Sequence, residues 1–454
     1  MNVSIVGAGY VGITTGVALA YLGHKVTLLD SDEARIRLLS EGKFPIYEPY
    51  LEEIADLAKA RMHYTTDAAE AHPDADVIFI AVGTPSQADG NPNLSYLQAA
   101  ATAIGKHLGD GFTVVVNKST VPIGCGNWVE SLVSEAFEAR NGQRPKGKFS
   151  VASNPEFLRE GSALHDSLYP DRVVVGSDDP RALDCLYALY KPVVEQTFPA
   201  PTVLARPEAL GAVPLITTNL ASAELIKYAA NAFLALKISF MNEISQLAEK
   251  VGADITQIGK GIGLDARIGT RFLQAGLGWG GSCFGKDTSA LIATAHEYGL
   301  TMPIVQAARE VNYRQRDRVL EKLLGELKIL KGRTIGLLGL AFKPHTDDLR
   351  DAPALDIARK LIERGAKVRA HDPIALDRAR REFGDTSICF ADTTDMLTLD
   401  SDALILVTEW PQYRELPWEK LAAGMRTPLL VDGRNFLDRE ALEGAGFRYI
   451  GMGR

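Results

Sequence analysis

The first dozen residues constrain this chain most. An apolar run, Val3–Val6, leads into Gly7-Ala8-Gly9-Tyr10-Val11-Gly12, and a helical pattern follows. A parallel α/β sheet binds anions at such a strand-to-helix junction. The first two glycines allow a tight turn and close approach of a pyrophosphate, the third lets the helix pack on the sheet, and the helix N-terminus favours the negative charge. Lys25–Asp30 reads as the second strand, and Asp30, which ends it, lies 18 residues beyond Gly12. A carboxylate there accepts hydrogen bonds from the adenosine ribose and repels a 2′-phosphate, so NAD is expected over NADP. The competing reading, a structural glycine turn followed by a chance aspartate, does not account for that spacing.

The alternation of apolar strands and helical patterns continues through Ala75–Val82, Phe112–Asn117, Phe149–Ala152 and Arg172–Val175, the mark of a parallel sheet wrapped by helices. From Asn219 to Val251 there is neither proline nor glycine, and Leu225, Ala229, Phe233, Leu236, Phe240, Ile244 and Leu247 recur at helical spacing. This predicts one connecting helix of about thirty residues, roughly 45 Å long, suited to a dimer interface. After Gly332 the alternation restarts with Thr334–Leu340, Lys367–His371, Ala403–Thr408, Leu429–Val431 and Arg448–Ile450. The predicted fold is α/β: two Rossmann-like doubly wound lobes joined by a long central helix and a helical middle domain. The expected domains are residues 1–212, 213–325 and 326–454. The second lobe's first strand runs into Gly336-Leu337-Leu338-Gly339, an incomplete fingerprint, so it is not expected to hold a second NAD.

Composition removes several function classes. A formal charge of −8 argues against nucleic acid or an anionic membrane as partner. The four cysteines lie far apart with no Cys-x-x-Cys, which suits a reducing cytoplasm and gives no expectation of disulfides or a metal site. Cys125, Cys185 and Cys389 read as small buried hydrophobes. The apolar stretch from Val3 to Leu22 lacks a basic leader and is interrupted by four glycines, so it reads as strand-turn-helix and not as a signal peptide.

Chemistry concentrates in Gly278-Trp279-Gly280-Gly281-Ser282-Cys283-Phe284-Gly285-Lys286-Asp287, a glycine-rich run with one thiol. A thiol beside a redox cofactor can hold an aldehyde covalently, and the lysine three residues on favours its thiolate. Thr84 and Thr120 each follow a strand and so stand at carboxyl ends of the sheet, where doubly wound folds bind ligands. Glu156 and Glu160 are four apart after another strand, a spacing that ordinarily marks a solvated helix face. Lys227 and Asn231 share one face of the central helix and could stabilise an oxyanion. Taken alone, the preferred reading is Lys227 paired with Glu224 and Asn231 at a bend.

Together these motifs resemble the UDP-glucose/GDP-mannose dehydrogenase family, and its UDP-glucose branch in particular. The resemblance rests on Gly-x-Gly-Tyr-Val-Gly at 7–12, Lys-Ser-Thr-Val-Pro at 118–122 and Asn-Pro-Glu-Phe-Leu-Arg-Glu-Gly at 154–161. It continues through Glu-Leu-Ile-Lys-Tyr-Ala-Ala-Asn-Ala-Phe at 224–233 and Gly-Gly-Ser-Cys-Phe-Gly-Lys-Asp at 280–287, then Leu340-Ala-Phe-Lys343, Leu349-Arg-Asp-Ala-Pro353 and Asp432-Gly-Arg434. It implies an NAD-dependent oxidation of a nucleotide-sugar 6-hydroxyl through an aldehyde to the acid, consuming two NAD. Cys283 would be the nucleophile, Lys227 and Asn231 the oxyanion partners, Glu156 the general base, and Asp287 and Thr120 the residues positioning water. Gly7, Gly9, Tyr10, Val11, Gly12, Asp30, Arg35, Thr84, Thr120, Glu160, Lys286 and Arg350 would contact NAD. The UDP-sugar would meet Glu156, Phe157, Leu158, Glu160, Lys227, Asn231, Phe272, Gly280, Cys283, Phe284, Phe342, Lys343 and Arg434, with Arg267 arriving from the partner of a homodimer. Trp279 and Gly285 stand where relatives often carry phenylalanine and proline. GDP-mannose or a UDP-N-acetylhexosamine would suit the same chemistry. A two-electron hydroxyacid dehydrogenase or a non-catalytic NAD sensor would not need the thiol.

Overall fold

The structure is a computed structural model describing residues 1–85, 87 and 92–454. It divides into two compact units, residues 1–229 with 289–297, and residues 230–288 with 298–454.

The first unit is built on β1 (Asn2–Val6), β2 (Lys25–Leu29), β3 (Met62–Thr65), β4 (Val77–Ile80), β5 (Thr113–Asn117), β6 (Phe149–Ser153), β7 (Val173–Gly176) and β8 (Leu215–Thr218). Their order is β3-β2-β1-β4-β5-β6-β7-β8. The first six are parallel in the doubly wound order. The sheet is not parallel throughout: β7 meets β6 antiparallel at Ser153 opposite Gly176, and β8 then pairs parallel with β7. Strands β4 and β5 are buried along their whole length, which is why they appear in the sequence as unbroken apolar runs. Strands β3 and β8 carry no such run. They are the two edges, where one neighbour and partial exposure suffice for Met62-His63-Tyr64-Thr65 and Leu215-Ile216-Thr217-Thr218.

The second unit contains β9 (Thr334–Leu338), β10 (Lys367–His371), β11 (Ile388–Phe390), β12 (Ala403–Leu406), β13 (Leu429–Asp432) and β14 (Arg448–Ile450). The order β11-β10-β9-β12-β13-β14 repeats that of the first six strands, and every pair is parallel. Two Rossmann-like sheets with a helical central region are therefore present, as the alternation predicts. Cys389 departs from expectation: it lies on the edge strand β11 and is exposed, whereas Cys125 is buried and Cys185 half-buried.

The central helix, Leu220–Val251, is 32 residues long. Met241 is buried in the core, but several other large apolar residues of this helix are exposed. Phe233, Phe240 and Leu247 are 62%, 49% and 59% exposed, while Ala235, Ser239, Asn242, Ser245 and Ala248 are buried. Small and amide side chains let neighbouring segments approach the buried face closely. Among the described residues no helix is long and apolar enough to cross a membrane, and no group of three or more His, Cys, Asp or Glu side chains could hold a metal.

Candidate active site

The glycine turn at 7–12 has the shape that a dinucleotide needs. Gly7 has φ +107°, and a Cβ there would lie 2.6 Å from the Ala81 carbonyl oxygen; a Cβ on Gly12 would lie 1.8 Å from that of Gly7. Gly9 has open space beside it, and the helix it caps, Tyr10–Tyr21, receives no side-chain cap. The first helical N–H groups thus face an open cradle, which fits a pyrophosphate. Asp30 braces the turn: its carboxylate accepts from the Ala8 N–H at 2.7 Å and pairs with Arg35 at 3.0 Å. The Thr84 hydroxyl donates to the Thr120 carbonyl at 2.9 Å, so both threonines stand together at the carboxyl ends of β4 and β5.

Tyr10 points out of the turn onto Glu48. Its hydroxyl donates to the Glu48 carboxylate and accepts from the Gly161 N–H at 2.8 Å. Glu48 also accepts from Gly161 and Ala163 N–H at 2.7 and 2.6 Å, tying the turn to the segment after Glu160. Burial, reinforced by the Glu48 charge, pushes the Tyr10 hydroxyl well above the ordinary phenol range. Burial likewise raises the Glu48 carboxyl against those hydrogen bonds. Sequence reasoning missed Glu48, which carries no local motif signal.

The same unit holds a buried charged cluster. Lys227 Nζ donates to Glu156 Oε1 at 3.0 Å, with the two side chains 5% and 8% exposed. The second Glu156 oxygen accepts from the Leu158 N–H at 2.7 Å. Burial alone would raise the Glu156 carboxyl, but the Lys227 charge and hydrogen bond, the Leu158 N–H and Lys118 together hold it below the usual range. Phe157 lies under the Arg172 guanidinium at 3.7 Å and within 5.5 Å of Lys227 Nζ. Lys118 donates to Asn154 at 2.9 Å, and burial pushes its ammonium down to about 8. Lys118 was the cation to look for, since it opens the Lys-Ser-Thr-Val-Pro run directly after β5. The pairing of Lys227 with Glu224 is corrected. Glu224 caps the helix Cys125–Asn141, accepting from Gly124 and Gly126 N–H at 2.7 and 2.9 Å, so its charge is turned toward backbone donors.

The second unit holds the thiol. Cys283 immediately precedes the helix Phe284–Glu297, and its carbonyl accepts from the Asp287 N–H at 2.8 Å, placing the carboxylate one turn on. Asn231 Nδ2 donates to Asp287 Oδ2 at 2.6 Å, and Lys286 Nζ lies 3.5 Å from the other oxygen. Asp287 is 1% exposed and Cys283 half-buried. The loop before it docks on the second sheet: Leu277 N–H donates to Gly433, Gly281 N–H to Arg350, and Arg434 to the Gly278 carbonyl, each at 3.0 Å. Phe342 occupies the space beside Gly281, and Lys343 Nζ stands 5.5 Å over its ring. Phe272 and Trp279 meet the Phe284 ring at 6.3 and 5.9 Å, so the indole fills this corner and leaves Gly285 with only ordinary contacts. Arg350 is exposed and pairs with Asp348, and Arg267 is exposed beside Asp265. Arg434 also pairs with Glu409 at 3.3 Å.

Comparison with known proteins covers nearly the whole chain. Residues 1–194 match the NAD binding domain of the UDP-glucose/GDP-mannose dehydrogenase family, residues 221–314 its central domain, and residues 336–439 its UDP binding domain. The chain is 44% identical over 455 residues to the UDP-glucose 6-dehydrogenase TuaD of Bacillus subtilis, covering 100% of this chain and 93% of the relative. It is 42% identical to the UDP-glucose 6-dehydrogenase of Rhizobium meliloti, with 100% of both chains covered. Among solved structures, a UDP-glucose dehydrogenase from Pyrobaculum islandicum superposes with a TM-score of 0.87 at 41% identity, over 99% of this chain and 97% of that one. A UDP-D-ManNAc dehydrogenase from Pyrococcus horikoshii gives 0.84 at 25% identity, over 100% and 99%.

Proposed function

The chain belongs to the UDP-glucose/GDP-mannose dehydrogenase family, and from that premise we infer its reaction and the residues that carry it. It is an NAD-dependent oxidoreductase that converts UDP-glucose to UDP-glucuronate by removing four electrons. Bound at the glycine turn, NAD supplies the hydride acceptor, two equivalents per sugar. The protein's own groups do the rest. The Cys283 sulfur adds to the C6 aldehyde and forms a thiohemiacetal, whose oxygen receives hydrogen bonds from Lys227 and Asn231. Oxidation of that adduct leaves a thioester on Cys283. Glu156 takes a proton from water held by Thr120 and Asp287, the carbon–sulfur bond breaks, and the thiol returns with release of the uronate. The observation that carries this reading is the buried Lys227–Glu156 pair, in which the lysine keeps a buried carboxylate ionised and ready as a base.

Gly7, Gly9, Tyr10, Val11, Gly12, Asp30, Arg35, Thr84, Glu160, Lys286 and Arg350 are proposed for NAD. Phe157, Leu158, Phe272, Gly280, Phe284, Phe342, Lys343 and Arg434 are proposed for the UDP-sugar, within a domain division at 212 and 325. Identities of 41–44% to UDP-glucose enzymes against 25% to the UDP-D-ManNAc enzyme favour UDP-glucose. The test is stoichiometry: two NADH per UDP-glucuronate are expected, and none from GDP-mannose. Cys283→Ser should stall before acid release, and a single NADH per sugar would refute the four-electron scheme.

We further propose a homodimer through the central helix, with Arg267 reaching the partner's site. The support is the exposed row of Phe233, Phe240 and Leu247, spaced seven apart along one face. Phe240→Glu should yield monomers in sedimentation analysis; an unchanged dimer refutes this interface. A cytoplasmic setting and a role in polysaccharide biosynthesis complete the proposal. They rest on the wide cysteine spacing and on the uronate product, and fractionation of cells would test the former.

A further inference from the structure

The run 276–281 is buried yet belongs to neither helix nor strand, so its peptide groups need partners from elsewhere. Several come from one helix, Pro303–Leu327. Asn312, fully buried, accepts from the Trp279 N–H at 2.7 Å and donates to the Trp279 carbonyl at 3.0 Å. One side-chain amide thus meets both backbone polar groups of a single residue, as a neighbouring strand would. Gln315, also fully buried, donates to the Gly276 carbonyl at 2.8 Å, and Asn242 accepts from the Gly276 N–H at 2.7 Å. The approach is close: a Cβ on Gly278, which has φ +89°, would lie 2.4 Å from Asn312 Oδ1. Beyond the thiol, Arg309 Nη1 donates to the Gly285 carbonyl and to Thr288 Oγ1, both at 2.6 Å. Arg309 and Asn312 are three apart and lie on one helical face. Between them they grip the chain four residues before Cys283 and two residues after it.

We propose that Asn312 and Arg309 are positioning residues that set the Cys283 sulfur by clamping Trp279 and Gly285 from one helix. This rests on the assignment of Cys283 as the nucleophile. Aspartate at 312 could not donate to the Trp279 carbonyl, and leucine would leave the Trp279 N–H orphaned and its carbonyl with only the Arg316 guanidinium at 3.5 Å. A reacting atom displaced by about 1 Å costs on the order of 100-fold in rate.

The experiment compares Asn312→Ala and Arg309→Ala with Glu310→Ala, an exposed control on the same helix. Three quantities are read on full-length protein normalised to NAD-binding sites: kcat with UDP-glucose, KM for NAD, and the rate at which iodoacetamide alkylates Cys283. The clamp variants should lose about tenfold or more in kcat, keep KM for NAD within about twofold, and change the alkylation rate about threefold or more. The control should change none of the three. If both clamp variants keep kcat and alkylation within about twofold of wild type, the proposal is overturned. It is also overturned if only their melting temperature falls. Should Asn312→Ala fail to fold, Arg309→Ala decides on the same readouts. Undiminished uronate formation by Cys283→Ser would overturn the nucleophile assignment, while alkylation would still report whether the helix sets the loop.

Discussion

Replacing Lys227 by methionine should invert the pH dependence that Glu156 contributes to stability. The pair lies at 3.0 Å with both side chains nearly buried. At an effective dielectric of ~20, unit charges at that distance attract by about 5 kcal/mol. Removing one member of such a pair typically costs about 3–5 kcal/mol, because the other is left charged without compensation. In the wild type the Glu156 carboxyl is held below its ordinary value of 4.5, so the pair's stabilisation is present above that pH and is lost as pH falls through the lowered pKa. In Lys227→Met burial loses its chief opponent, and the carboxyl rises above its ordinary value. Its stabilisation is then present only at low pH and is lost as pH rises. The penalty of the substitution is therefore expected at about 3 kcal/mol at pH 8, and smaller by about 1 kcal/mol or more at pH 5, the worth of a one-unit shift. Thermal denaturation from pH 5 to 8 would measure it, with Glu156→Gln completing a double-mutant cycle. Equal penalties at both ends of the range, or a coupling below about 1 kcal/mol, would refute the reasoning.

Gly281→Ala should damage the thiol loop. Gly281 has φ +84°, and an added Cβ would meet the Phe342 ring at 2.7 Å, so a loss of about 2 kcal/mol or more and a fall in kcat are expected by melting and NADH formation; wild-type values for both would contradict this. Glu224 supplies a second pH test. Burial pushes its carboxyl up to about 7 against the Gly124 and Gly126 N–H bonds. Its stabilisation is present below the ordinary value of 4.5 and is lost as pH rises to about 7, on the order of 3 kcal/mol. Glu224→Gln should flatten the stability profile between those values, and an unchanged slope would exclude Glu224 as its source.

How far the sequence carried depends on whether a residue acts through its neighbours in the chain. The glycine turn and Asp30 are a local unit with fixed spacing, so the shape of that turn was legible from the first thirty residues. Strands β4 and β5 were legible because burial on both faces demands unbroken apolar runs. The edges β3 and β8 were not, since an edge strand tolerates the polar residues that also make loops. Cys283, Asp287, Lys227 and Asn231 could be singled out by type and helical spacing.

Their partners could not. Lys227 had Glu224 one turn away on the same helix, yet its charge is taken by Glu156, 71 residues distant, while Glu224 turns to backbone donors at Gly124 and Gly126. Which carboxylate a lysine meets is decided by the burial and competing hydrogen bonds of each, and both are properties of the packed chain. The apolar stripe of the central helix shows the same limit. Its periodicity announces a helix with one greasy face, but a moment along the sequence has no sign that says inward or outward. The sequence by itself determined the two α/β lobes, the glycine turn and the place of the thiol in its loop. Only the tertiary structure decided that Phe233, Phe240 and Leu247 point outward, that Lys227 holds Glu156 ionised, and that a distant helix grips the loop of Cys283. Local spacing specifies which groups are available; the low-dielectric interior, where every buried charge and peptide group must find a partner, settles which of them meet.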